Sequence, residues 1–322
     1  MDARRPWYAR ALLVQGGHVA HWDEVESELQ EAGQLSGRWS DVGEAAGSED
    51  VGVCRIQVTP GKRSTPLHLE LVEEEIFFVL GGSGLSWQWE GEDPLVYEVA
   101  EGDCLVHLAG EAAHTLVAGP DGLDVLAFGM RVPATGTWLP RAGVVSIPPT
   151  WVETPGGKHP WEREAEAGDA ELPDPLPRPA SIVNIDQTEA REISHGESVF
   201  VERELSAVAR RTGLNHHSIR PGRWNWPFHT HSAEEEIFVV LEGEGFCRLG
   251  EETIPVRRGS VVARPAGTGV AHAFQAGADR LELLAYGTRD RRDIAWYPDT
   301  QKINFRAFDF TARIEPLPYW EN

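Results

Sequence analysis

Cysteine is scarce in this chain, three in 322 residues, at Cys54, Cys104 and Cys247. An odd, scattered set with no Cys-x-x-Cys spacing excludes a disulfide framework and a thiolate zinc site. Buried apolar filling is the role left to them, and Cys54 suits it by alternating with Ile56 and Val58. Basic residues are also outnumbered, 29 Lys and Arg against 51 Asp and Glu, a formal net charge of −22. Such a balance repels phosphate backbones and anionic headgroups, so neither a nucleic acid nor a membrane surface is an expected partner. No apolar run is long enough to span a bilayer. Residues 1–22 carry Arg4, Arg5 and Arg10 without the apolar stretch and small-residue cleavage site of a leader peptide, and a cytoplasmic protein is expected. What the chain has in quantity is glycine, 33, and proline, 22, beside 41% hydrophobic residues. That composition suits many short strands joined by tight turns, and the length suits two domains, each able to bury a core.

The chemistry concentrates between residues 222 and 272. His229 and His231 alternate and so point to one face of a strand. Glu236 follows across a short turn and opens the apolar run Ile237, Phe238, Val239, Val240, Leu241. His272 arrives from a distant strand, with Gly259, Pro265 and Gly267 supplying the turns. Imidazole and carboxylate together suit Fe, Mn, Co, Ni, Cu or Zn, and four protein ligands on an octahedral ion leave two positions open.

The order Gly222, His229-x-His231, Glu236, Gly243, then Gly259, Pro265-x-Gly267, His272 resembles the two motifs of the cupin family. The resemblance implies a small antiparallel jelly-roll barrel whose metal ligands are His229, His231, Glu236 and His272. It departs from the family pattern in one place, since four residues separate Gly267 from His272 where two are usual.

The first half repeats the second. Gly52 to Gly84 aligns without a gap on Gly213 to Gly245 with 14 of 33 positions identical, Glu73, Glu74, Glu75, Ile76 and Phe77 among them. Residues 118–131 likewise match 276–289, and Trp138 with Pro140 matches Trp296 with Pro298. The chain therefore resembles a bicupin. The expected fold is all-β, two tandem jelly-roll barrels in residues 1–149 and 181–322, joined by a Pro-rich linker over 150–180. Asp23 with Glu26 and Asp186 with Glu189 read as helix caps with their box partners, which predicts a short helix at the start of each half. In the first barrel the corresponding set is His68, Glu70, Glu75 and His114, with Glu70 where the second has His231 and Leu108 where it has proline. Two readings stand: a second metal site preferring harder ions, or a retired site in a duplicated domain.

The linker, with Pro173, Pro175, Pro177 and Pro179 at alternate positions, is expected to be an extended spacer without helix, pinned by Trp151 and Trp161. His217 shares the apolar parity of its strand, which makes it a candidate acid or base or a core histidine. Arg264 is a candidate clamp for a substrate carboxylate, and Trp224, Trp226 and Phe228 are candidate packing or pocket residues. An apolar tail, Glu315 to Trp320, points to packing on a barrel or on a second subunit, hence a homodimer. The function expected is a metal-dependent enzyme on a small organic acid or phenol, foremost a dioxygenase-type oxidoreductase with Fe. The alternatives are a redox-neutral isomerase, epimerase or lyase using Zn or Mn, and a non-catalytic small-molecule-binding barrel.

Overall fold

The computed structural model describes residues 19–91, 93–132, 134–147, 150–151 and 159–315. Two antiparallel barrels follow one another, and each is built from the same succession of strands. In the first, the principal sheet runs in the order Ile182–Asn184, Asp103–His107, Glu75–Trp89, Ala113–Met130, Val51–Val58, Leu35–Asp41, Glu28–Ala32. In the second, the order is Val19–His21, Ser260–Arg264, Glu236–Glu242, Leu281–Thr288, Thr212–Ile219, Ser198–Glu204, Arg191–His195. Inward positions close each barrel over an apolar core: Phe77, Val79, Leu105 and Leu116 in one, Phe238, Val240, Phe274 and Leu283 in the other. At the bend of the long strand only glycine fits, because a Cβ on Gly82 (φ +83°) would lie 2.3 Å from the Gly122 carbonyl oxygen.

The barrels exchange strands. Val19–His21, from the first half of the chain, pairs with Ser260–Arg264 of the second barrel. Ile182–Asn184, from the second half, pairs with Asp103–His107 of the first. Each half thus completes its neighbour's sheet and covers its edge. Between the barrels lies a shared core in which Ile76, Phe78 and Phe128 meet Ile237, Val239 and Tyr286. Phe128 and Tyr286, which occupy matching positions of the repeat, have ring centroids 5.0 Å apart.

Two buried carboxylates clasp this interface, one from each side. Glu74 accepts from the backbone N–H groups of Arg210 (2.9 Å), Arg211 (3.0 Å) and Thr212 (3.1 Å) and from the Thr212 hydroxyl (3.0 Å). Glu235 accepts from the N–H groups of Glu49 (2.8 Å), Asp50 and Val51 (3.1 Å). Each clasp residue immediately precedes the carboxylate of its barrel's motif, Glu75 or Glu236.

Helix placement differs from expectation. Residues 22–25 form a turn, because the Asp23 carboxylate faces Arg55 (3.5 Å) instead of capping a helix. The first described helix is Val42–Ala45, where the Asp41 side chain accepts from the Glu44 N–H. In the second half, Ile185–Gln187 is a single 3-10 turn capped by Asn184, and the chain is extended again at Thr188. The linker does hold a helix, Pro160–Glu166. Proline at its first position is compatible with a helix start, and His159 caps it, Nδ1 accepting from the Trp161 N–H (3.3 Å). Trp161 packs edge-on against Trp39, with centroids 6.5 Å apart. Thr150–Trp151 pairs with Val144–Ile147 and belongs to the first barrel's outer hairpins. The Trp151 side chain and the tail beyond Glu315 lie outside the described residues.

Candidate metal centre

In the second barrel, Thr230–His231 pairs with Ile294–Tyr297, and His229 bridges His272 on the adjoining strand. Glu236 opens the strand that faces both. His229, Glu236 and His272 each bring one ligand atom within 4.8 Å of the others. His231 joins them, its Nε2 lying 3.4 Å from Glu236 Oε2, while His272 Nε2 is 3.0 Å from the same oxygen.

Proton positions follow from the outer partners. A carbonyl only accepts, so His229 Nδ1–H donates to the Pro227 carbonyl (2.7 Å) and Nε2 presents a lone pair. His231 Nδ1 donates to Asp293 Oδ2 (2.7 Å). Asp293 is in turn fixed by the N–H groups of Ser232 (3.0 Å) and Ala233 (2.9 Å). A carboxylate behind a ligating imidazole fixes its ring and raises its basicity, which makes Asp293 a working member of the site. Sequence reasoning missed it, although aligning the repeat puts Thr135 at the same position, a change tied to that of Glu70 and His231.

The convergence fits a cation. Beyond their 3.0 and 3.4 Å contacts with one another, His231 Nε2, His272 Nε2 and Glu236 Oε2 are buried without a hydrogen bond among the described residues, a costly state unless an ion satisfies them together. Electrostatics prepare them for it. Burial and then His272 push His229 down to about 3, so it is neutral and needs to release no proton. Burial raises the Glu236 carboxyl's pKa, but His231 and His272 more than offset this and hold it well below its usual range. For His231, burial is outweighed by Glu236 and then Asp293, and its pKa stands above the usual value.

A pH dependence follows. His231 must lose its proton to bind, so metal affinity should fall as pH drops below that raised pKa, by up to about tenfold per unit. Asp293→Asn removes an anion behind the ring and should both weaken binding roughly 10–100-fold and flatten the slope between pH 6 and 8. Isothermal titration with Mn(II) across that range checks this; an unchanged slope in the variant would remove Asp293 from the site.

The first barrel assembles differently. Glu75 Oε2 accepts from His114 Nε2 (2.8 Å) and His68 Nε2 (3.2 Å), and the cluster closes on itself by hydrogen bonds. His68 also donates from Nδ1 to the Pro66 carbonyl (3.0 Å), which gives both ring nitrogens a donor role. Burial opposes its charge, yet Glu75 more than compensates and raises His68 to about 9. Glu70 stands outside the cluster. Its two oxygens accept from the Thr137 hydroxyl (2.8 and 3.0 Å), directly across the strand pair, and burial followed by Glu75 pushes its pKa up to about 7. His68, Glu75 and His114 come together; Glu70 is braced beside them.

His217 stands apart from the centre, whereas Arg264 lies beside it. His217 faces the barrel interior, packed edge-on to Phe200 and Trp226, with Nε2 3.5 Å from Glu202. Its register across Leu283 to Val240 puts it four residues along the strand from Glu236, about 13 Å. That distance does not suit an acid or base acting at the ion. Arg264 lies opposite Glu236, but its guanidinium donates to Thr268 Oγ1 (3.1 Å) and to the Val270 (2.8 Å) and Ala263 (3.3 Å) carbonyls. Those bonds brace the turn that delivers His272, while the buried Arg264 Nε has no partner among the described residues. The same position in the first barrel is His107, stacked on His114 with centroids 3.8 Å apart. Trp226 packs on Phe200, and Phe228 lies beneath the Arg248 guanidinium at 3.6 Å. Tyr297 stacks on His229, centroids 5.5 Å apart, at the rim of the centre.

Residues 215–286 match the family described as "Cupin domain". Among solved structures, the chain is similar to Lactobacillus farciminis oxalate decarboxylase in its formate complex, with TM-score 0.60 and 15% identity over 84% of this chain and 86% of that one. It is also similar to Bacillus subtilis oxalate decarboxylase at pH 4.6, with TM-score 0.57 and 16% identity over 83% of this chain and 75% of that one. Another structure of the Bacillus enzyme, which concerns its Mn(II) centres, gives TM-score 0.58 and 16% identity over 85% and 78%. No curated protein sequence matches the chain. The second barrel carries the cupin-domain match, and the chain as a whole shares its fold with these structures. Among the described residues no helix is long and apolar enough to cross a membrane.

Proposed function

We propose that this two-barrel protein is a bicupin and a metal-dependent enzyme acting on a small organic acid, with its reaction centre in the second barrel. The observation that carries the reading is the meeting of His229, His231, Glu236 and His272 through buried ligand atoms, three of which make no hydrogen bond among the described residues and contact only one another. A divalent transition metal held there would supply Lewis-acid polarisation of a substrate oxygen. The chain's own residues do the rest. Asp293 keeps His231 in the tautomer that presents Nε2, and Pro227 does the same for His229. Phe238 and Phe274 wall the interior side against water, and Tyr297 covers the His229 face.

We favour a lyase-type, redox-neutral reaction on a carboxylic acid, with Mn or Fe as the ion. Support comes from the similar folds, which are oxalate decarboxylases, one of them described with Mn(II) centres. An oxygenase is the second reading, since two open positions would admit both substrate and O2. The test is anaerobic purification with elemental analysis, followed by parallel CO2-release and O2-uptake assays on oxalate and other small acids. CO2 without net O2 consumption supports the lyase, and stoichiometric O2 uptake supports the oxygenase. A metal-loaded protein that turns over none of the acids counts against both. His272→Ala should strip the second barrel of most of its metal, and unchanged occupancy would sink the ligand assignment.

A further inference from the structure

A small cavity lies apart from the metal motifs, where the linker helix crosses the first barrel. It has a volume of about 70 Å³ and is lined by Gln34, Arg63, Trp87, Asp169, Ala170 and Leu172, among others. Glu164, fully buried on the helix Pro160–Glu166, accepts through one oxygen from Arg63 Nη1 (2.7 Å) and Arg141 Nη1 (3.1 Å). Both guanidiniums lie over the Trp87 ring, 5.5 and 5.3 Å from its centroid. Two buried or half-buried cations therefore share one buried carboxylate. Lys62 adds a third positive charge nearby, its Nζ 3.5 Å from Gln34 Oε1.

The donors are not exhausted. Arg63 is 5% exposed and Trp87 4%, yet Arg63 Nη2 and Trp87 Nε1 have no acceptor among the described residues. Unsatisfied buried N–H groups on two residues that line one cavity call for an acceptor, which Glu164 Oε2, itself buried without a hydrogen bond, does not supply. A carboxylate meets the requirement, since its two oxygens can take one N–H each from a guanidinium and an indole. The space is several times the roughly 10–15 Å³ that a single water requires, which restricts the ligand to a few non-hydrogen atoms. Asp169, exposed at the rim, would favour a ligand that also carries an ammonium group.

We propose that this cavity is a binding site for a small carboxylate, of the size of acetate or glycine, that ties the linker to the first barrel. It goes beyond the reaction proposed for the second barrel and does not depend on it. The test is calorimetric titration of the full-length protein, stripped of metal so that carboxylates cannot be held at the other centre, with acetate, glycine and methylammonium. Saturable binding of acetate or glycine, and none of methylammonium, is expected. Trp87→Phe removes only the indole donor, and Arg63→Lys keeps the charge but changes the fork; each should weaken binding at least about tenfold. Tighter binding of glycine than acetate, lost in Asp169→Asn, would assign the ammonium-bearing ligand; equal affinities would assign a simple carboxylate. The proposal is overturned if neither carboxylate binds the folded protein, the cavity then holding water only, or if both variants bind as the parent does. Metal content and CO2 release in the same variants should stay at parental levels, which separates failure here from failure of the proposed reaction.

Discussion

Replacing Glu235 with alanine should destabilise the protein by roughly 3–5 kcal/mol, because it removes a buried carboxylate that receives three backbone N–H groups at the interface, that of Val51 buried. Those groups belong to Glu49, Asp50 and Val51 of the other barrel, and the carboxylate that holds them is fully buried. The loss is therefore felt across the interface. For a chain of this size, thermal unfolding should shift down by roughly 4–8 °C. Glu74→Ala should act alike, since Glu74 receives three N–H groups and a hydroxyl from Arg210 to Thr212. Glutamine at either position keeps an acceptor and should cost about half as much. A change in melting temperature under about 2 °C for both alanine variants would show that the shared core alone holds the barrels together.

His231→Glu should lower metal affinity in the second barrel by roughly a hundredfold or more, well beyond the loss of one ligand type. The new carboxylate would face Asp293, now 2.7 Å from His231 Nδ1, and two anions would compete for one buried space. In the first barrel the same ligand position is Glu70, and the residue opposite it on the paired strand is Thr137, whose hydroxyl donates to both oxygens. The second barrel has Ala295 opposite His231. Ligand and bracket have changed together: an acceptor stands behind an imidazole, a donor behind a carboxylate. Adding Asp293→Thr and Ala295→Thr to His231→Glu should therefore recover at least about tenfold of the lost affinity. Titration with Mn(II) and Zn(II), supported by elemental analysis, reads both steps. If the triple variant binds no better than the single one, the bracket does not determine the ligand.

The two barrels and the residues that meet in each were legible in the sequence because spacing along strands sets which face a side chain takes. His229, His231, Glu236 and His272 needed only alternation and turns to be placed. Asp293 was not legible, since its role depends on a hairpin that returns 62 residues after His231. The clasp was in plain view as Glu73, Glu74 and Glu75 repeated as Glu234, Glu235 and Glu236, but only a contact between barrels separates the clasp from the ligand. The sequence left two roles open to His217 for a related reason. Parity gave the correct face but not the level along the barrel, and the level puts Val240 and Leu283, not Glu236, beside it. The linker helix escaped notice because alternating prolines at 173–179 obscured a capped start at His159 and Pro160.

The exchange of edge strands bears on how the chain can be divided. A cut within residues 152–158 would yield a pair of fragments, each still carrying the strand that finishes the other's sheet. Produced alone, either fragment would display an unpaired sheet edge and half of the apolar core it shares with its neighbour, and would self-associate or precipitate. Produced together, they should find one another and restore the metal centre, so this protein is open to complementation by halves although neither half is an independent folding unit.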